Sequence, residues 1–216
     1  RGSGKSLVTI GLMSAVQGFV PRVGYMKPVG QRYESVHGEE EDATLVKALF
    51  DLKDDPRDIT PMSLTQAQQD KDALFEKIFK SFKSVSKDKD AIFIEGTDYT
   101  STMSALEFDI NAELAQNLVA PVLLVALGHE KSIDDIVHNV TEYAESFTDH
   151  GCTLLGAIVN RFDSPDPRKD ALRLKDRLEK NGIPLFGVIL NNPVLSGPRL
   201  SEVRDAIGAE IMIKGD

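Results

Sequence analysis

"RGSGKS", residues 1–6, opens the chain and decides how the rest is read. A phosphate-binding loop has the form G-x-x-x-x-G-K-[ST], follows a strand and opens a helix. Gly4, Lys5 and Ser6 supply its last three positions. Gly2 and Gly4, with Ser3 between them, let the backbone curl until its N–H groups face phosphate oxygens. The N-terminus of the following helix adds a favourable dipole. Lys5 suits the β- and γ-phosphates as a point charge, and the Ser6 hydroxyl suits Mg²⁺. The first glycine of such a loop, and the strand before it, are expected upstream of Arg1, with that strand at the centre of the sheet.

Outward from the loop, elements alternate. Residues 4–19 read as a helix. "RVGYMK", 22–27, is a short strand ended by Pro28. A helix over 41–51 places Ala43, Val46, Leu49 and Phe50 on one face. A polar stretch near 53–61 follows, then a helix over 69–85 with Leu74, Ile78, Phe79 and Phe82 at helical spacing. "AIFIE", 91–95, is an apolar strand ending in an acid. Asp109 reads as the N-cap of a helix through Leu118. "PVLLVAL", 121–127, "LLGAIVN", 154–160, and "PLFGVIL", 184–190, are further strands. Ser132 and Asp135 form a capping-box pattern for a helix to Phe147, and 168–181 is a helix stopped by Asn181 and Gly182.

Continuous apolar strands alternating with amphipathic helices predict an α/β fold, a mostly parallel sheet with helices on both faces. Residues 1–190 form the phosphate-loop domain. Residues 191–216 read as an exit segment, with a short helix at 200–207 and a short strand at 209–213.

Composition narrows the classes. The net charge of −9 over 216 residues argues against nonspecific binding to nucleic acid or to an anionic membrane surface. No apolar run approaches the ~20 residues that span a bilayer. Cys152 is the only cysteine, so no internal disulfide forms and the cytoplasm is the expected compartment. His37, His129, His138 and His150 show no metal-ligand spacing.

Four further residues fall at strand ends or helix starts, where open α/β sheets place their ligands. Glu95 ends a buried strand and Asp42 begins the helix after the second strand, so either can neighbour Mg²⁺. Lys27 also ends a strand and can meet a γ-phosphate or a substrate carboxylate. Asn160, with Arg161 beside it, ends "GAIVN" and offers an amide donor and acceptor to adenine.

Together "GKS" at 4–6, "KPVG" at 27–30, "EDA" at 41–43, "IEGTDY" at 94–99 and "VNR" at 159–161 resemble the dethiobiotin synthetase-like branch of P-loop NTPases. "KPVGQRY", "EGTDY", "FDINAELAQNLVAPVLLV" and "NPVLSGPRLSEVRDAIGAE" resemble the N-terminal domain of the phosphate acetyltransferase (phosphotransacetylase) family. "RGSGKS" is also similar to cobyrinic acid a,c-diamide synthase, although the aspartate- and tyrosine-rich segment of that family is not visible. The first resemblance implies ATP and Mg²⁺ as cofactors, with Lys5, Ser6, Lys27, Asp42 and Glu95 serving phosphate and metal and Asn160 near adenine. The second implies a regulatory or assembly domain, with a homo-oligomer or a covalently attached domain as its partner. An ATP-dependent ligase that activates a carboxylate or carbamate is the other reading. Lys5 and Lys27 would then be catalytic, and Arg32 could attract a small carboxylate ligand.

Two departures bear on that second reading. Gly96, Thr97, Asp98 and Tyr99 stand where dethiobiotin synthetases carry a glycine-rich stretch. Gly30, Gln31 and Arg32 replace small or hydroxyl residues. A bulky ring and an extra carboxylate would crowd and repel an anionic carbamate, so no dethiobiotin synthetase activity is expected.

Overall fold

The computed structural model describes residues 3–31, 39–69, 71–97, 104–192 and 208. Gly2, Arg32, His37, Asp98, Tyr99 and the helix and strand expected at 200–207 and 209–213 lie outside the described residues. The elements in chain order are α1 (Lys5–Gln17), β1 (Val23–Met26), β2 (Val29–Gly30), α2 (Glu41–Leu49), α3 (Pro56–Ile59), β3 (Met62–Ser63), α4 (Leu64–Gln69) and α5 (Lys71–Val85). There follow β4 (Ala91–Ile94), α6 (Ser104–Asn117), β5 (Val122–Leu127), α7 (Ile133–Asp149), β6 (Leu154–Phe162), α8 (Pro167–Lys180) and β7 (Leu185–Leu190).

Every strand pairing is parallel, and the fold is α/β. β1 pairs with β4, β2 with β3, and β5, β6 and β7 pair in that order. Helices cover both faces of β1. Val23 and Tyr25 pack with Met13, Val46 and Ile59 from α1, α2 and α3. Met26, one residue on and so on the opposite face, packs with Leu74, Ile78 and Ile110 from α5 and α6. A third cluster joins Ala157 and Val159 of β6 to Ile136, Val140, Leu174 and Leu178 of α7 and α8.

Among the described residues the β1–β4 pair and the β5–β6–β7 sheet share no strand pairing. β4 and β5 are apolar at every position, yet every position is only partly buried.

Local chemistry explains the element ends. Ser132 caps α7 by accepting from the Asp135 N–H, and the Asp135 carboxylate accepts in turn from the Ser132 N–H, so the capping box forms as its pattern predicts. Asp109 is not a cap: α6 spans Ser104–Asn117, and Asp109 sits inside it. Apolar contacts override the cap pattern there. Phe108 and Ala112 sit four apart and pack on one side against Phe147 and Cys152, while Ile110 and Leu114 pack on the other. The polar stretch near 53–61 contains α3, capped by Asp55 with Pro56 in its first turn.

Gly156 shows where the sheet demands glycine. Its φ is +148°, and a β-carbon there would lie 2.3 Å from the Pro184 carbonyl oxygen. Gly187, on the neighbouring strand, has open space at the same point. Gly156→Ala is therefore expected to lower stability by at least about 2 kcal/mol, from overpacking and backbone strain. Gly187→Ala is expected to stay within about 1 kcal/mol of the parent. Urea midpoints at constant m-value check both; equal midpoints for the two variants would refute the assignment.

Candidate functional site

Strand periodicity places the polar groups. Tyr25 and Lys27 are two apart on and just beyond β1, and so share a face. Phe93 and Glu95 stand in the same relation on and just beyond β4, and Phe93 packs in the cluster that holds Tyr25. Parallel register sets Met26 opposite Ile94, so Lys27 and Glu95 leave the pair side by side at its carboxyl end. α1 covers this face, and its first turn carries Lys5 and Ser6.

The groups then meet. The Ser6 hydroxyl donates to Glu95 Oε1 at 2.8 Å, and the Tyr25 hydroxyl donates to Glu95 Oε2 at 3.1 Å. The Lys27 ammonium lies 2.5 Å from Asp42 Oδ2, 2.6 Å from Glu40 Oε1 and 3.6 Å from Glu95 Oε1. Lys27 is 3 % exposed, Glu40 2 % and Glu95 5 %. The Lys5 ammonium donates to the Thr97 carbonyl at 3.2 Å. That carbonyl also accepts from Asn111 Nδ2 at 3.3 Å, so α6 anchors the loop after β4. A cleft of about 320 Å³ is lined by Gly4, Lys5, Ser6, Lys27, Asp42, Glu95 and Gly96, with Gln31, Leu7, Ile10 and Leu45 around them.

Burial and pairing oppose each other here. Burial alone would pull the Lys27 ammonium down, but pairing with Asp42 and Glu40 and the charge of Glu95 outweigh it, so its pKa rises. Burial pushes the Glu95 carboxyl up, against Lys27 and the Ser6 hydroxyl, which hold it down. Burial also drives the Tyr25 phenol far up, with Glu95 adding to the effect. Tyr25 is therefore a neutral donor at any ordinary pH.

Gly4 has φ +76°, and a β-carbon there would sit 2.4 Å from Asn160 Nδ2. Asn160 Nδ2 donates to the Ser3 carbonyl at 2.7 Å, across 157 residues of sequence. The loop is thus pinned to the end of β6, and the amide donor expected to meet adenine is spent on the loop. Arg161 follows with φ +56°, and its buried Nε has no hydrogen-bond partner among the described residues. β6 runs on through Arg161 to Phe162, two residues beyond the strand end read from sequence.

Sequence reading thus named six of the residues lining the cleft, and the fold brings Ser6, Lys27, Asp42 and Glu95 into one cluster. It missed Glu40, Tyr25, Thr97 and Asn111. Tyr25 carried a signal, its two-residue spacing from Lys27. Glu40 carried none, since it stands in the run Glu39, Glu40, Glu41, Asp42.

No group of three or more His, Cys, Asp or Glu among the described residues forms a metal cage. Mg²⁺ at a phosphate keeps several waters and needs only one or two carboxylates. Ser6, Asp42 and Glu95 are hard oxygen donors of that kind, with Asp42 and Glu95 at one cationic position and the Ser6 hydroxyl on Glu95, and they fit such an ion.

Tyr25→Phe removes one donor from a buried carboxylate. It is expected to cost about 1–3 kcal/mol of stability, because Glu95 Oε2 loses its hydrogen bond away from water. Chemical denaturation measures this; an unchanged midpoint would show that the Tyr25 hydroxyl does not support Glu95.

A family model described as an AAA domain matches residues 1–206. Curated relatives named phosphate acetyltransferase match nearly the whole chain. The one from Nitratidesulfovibrio vulgaris is 24% identical, over 97% of this chain and 31% of its own length. Those from Synechocystis sp. and Pseudomonas putida are each 26% identical, over 99% and 100% of this chain and 31% and 32% of theirs. The chain thus spans about a third of the length of these relatives.

Proposed function

The chain belongs to the AAA domain family, of the P-loop type, and from that premise we propose that it binds Mg-ATP at the cleft above Gly4, Lys5 and Ser6. The observation that carries the reading is the 2.8 Å contact from the Ser6 hydroxyl to Glu95 at the head of α1. A phosphate loop needs a hydroxyl beside a carboxylate at that place, because one Mg²⁺ must touch both phosphate and protein. When bound, Mg²⁺ neutralises charge on the phosphate oxygens. Ser3, Gly4 and Lys5 would offer backbone N–H groups to the phosphates, and Lys5 its ammonium. Ser6, Asp42 and Glu95 hold the metal. Asn160 and Arg161, at the end of β6 beside the loop, would lie nearest the base, with the Asn160 amide donor already committed to the Ser3 carbonyl.

We propose in addition a regulatory or assembly role, with a covalently attached domain or further copies of the chain as partner, since the chain matches about a third of the length of relatives named phosphate acetyltransferase. Among the described residues no helix is long and apolar enough to cross a membrane, in keeping with a cytoplasmic protein. The second reading is an ATP-dependent ligase that activates a carboxylate or carbamate, with a small carboxylate as ligand. The two lysines favour it, since both stand where a transferring phosphoryl group needs cations. Against it, the Lys27 ammonium is already held by carboxylates on three sides.

Two experiments test this. Calorimetry on the full-length protein is expected to show saturable Mg-ATP binding that Lys5→Ala weakens by at least tenfold, about 1.4 kcal/mol. Equal affinity for both forms would defeat the assignment of the loop. Incubation with Mg-ATP, bicarbonate and diaminopelargonic acid is expected to give no dethiobiotin. Turnover at about 1 per second or faster would overturn the regulatory reading in favour of the ligase.

A further inference from the structure

Lys27 sits where a cation between Asp42 and Glu95 would sit, and it is itself the cation there. A divalent ion placed between those two carboxylates competes with its ammonium for them. The ammonium is buried, and a buried charge stripped of its partners is strongly disfavoured. It needs an anion to retreat to. Glu40 is that anion. It contributes no oxygen to the cleft. One of its oxygens is fixed, with Oε2 accepting the Ala43 N–H at 2.8 Å as the cap of α2. The other, Oε1, lies 2.6 Å from the Lys27 ammonium and is free of any second partner among the described residues, so it can keep the ammonium when the other carboxylates leave it.

We infer that Glu40 is a positioning residue that makes the site metal-responsive: it retains Lys27 through Oε1 while Asp42 and Glu95 pass from the ammonium to a divalent cation. The inference rests on the Mg-nucleotide reading above and adds a regulation to it. Without the metal, the three carboxylates of Glu40, Asp42 and Glu95 outnumber the one ammonium they surround, that of Lys27, and weaken the attraction of the cleft for a polyanionic triphosphate. With the metal, the same carboxylates are neutralised and the triphosphate enters. Nucleotide affinity is then gated by divalent cation through a residue that touches neither.

Glu40→Gln is the direct test, because glutamine keeps an oxygen for the Ala43 N–H and removes only the charge that holds Lys27. The full-length protein is titrated with ATP in Mn²⁺ and in EDTA, and with Mn²⁺ alone followed by the paramagnetic resonance of the free ion. E40Q is expected to shrink the ratio of ATP affinities, Mn²⁺ over EDTA, by about tenfold or more, the size seen when a group behind a metal ligand is lost. ATP affinity in EDTA should hold or rise. Glu40→Asp, which keeps the charge, should recover part of the ratio and guards against misfolding in E40Q. A purely structural role would lower both affinities together, and that result, or an unchanged ratio, overturns the inference while leaving the nucleotide reading intact. If the parent protein binds no ATP under either condition, the nucleotide reading falls. The inference is then decided by Mn²⁺ alone: weaker binding by E40Q supports it, and equal binding, including none by either form, overturns it.

Discussion

A buried ammonium must be surrounded by anions, and Lys27 has three. Those anions come from separate parts of the chain: Glu40 and Asp42 at the start of α2, and Glu95 at the end of β4. Their meeting fixes how α2 docks on β1 and how β4 lies beside β1. Removing any partner leaves a charge away from water, which costs several kcal/mol, so the arrangement resists piecemeal change. Glu95 then carries the contact outward. It accepts from Tyr25 on the strand and from Ser6 on α1, and so ties the glycine loop to the sheet.

The second tie is Asn160. A single amide from β6 holds the Ser3 carbonyl, and Gly4 leaves the room that amide needs. The loop is thus gripped from both strand groups, by Glu95 on one side and by Asn160 on the other. These two groups share no strand pairing among the described residues. The loop's contacts therefore join the two groups, as does the packing of α6 against Met26 on one side and against Phe147 and Cys152 on the other.

Much of this was legible in the sequence, for a physical reason. Parallel strands covered on both faces are continuous apolar runs, so "AIFIE" and "PVLLVAL" announce themselves, and the acid that ends the first marks the carboxyl end of its strand, although that acid is buried. The loop is legible because few residue types can bend that way. What was not legible depends on burial, which one residue's identity does not carry. Four acids in a row look like a solvated helix start, yet Glu40 is buried to hold Lys27. β2 and β3 are two residues each, too short for any period. Asp109 has the right chemistry for a cap but lies within an apolar pattern that continues past it to Phe108. Asp55 followed by Pro56 was a readable helix start, passed over because α3 has only four residues.

The most direct test is a crystal structure of the full-length protein with Mg²⁺ and a non-hydrolysable ATP analogue. The expected result is the β- and γ-phosphates over the backbone of Gly4 to Ser6. The metal should be bound to the Ser6 hydroxyl beside Asp42 and Glu95, with the Lys27 ammonium withdrawn to Glu40. An analogue bound elsewhere, or a Ser6 hydroxyl still donating to Glu95 with no metal between them, would contradict it.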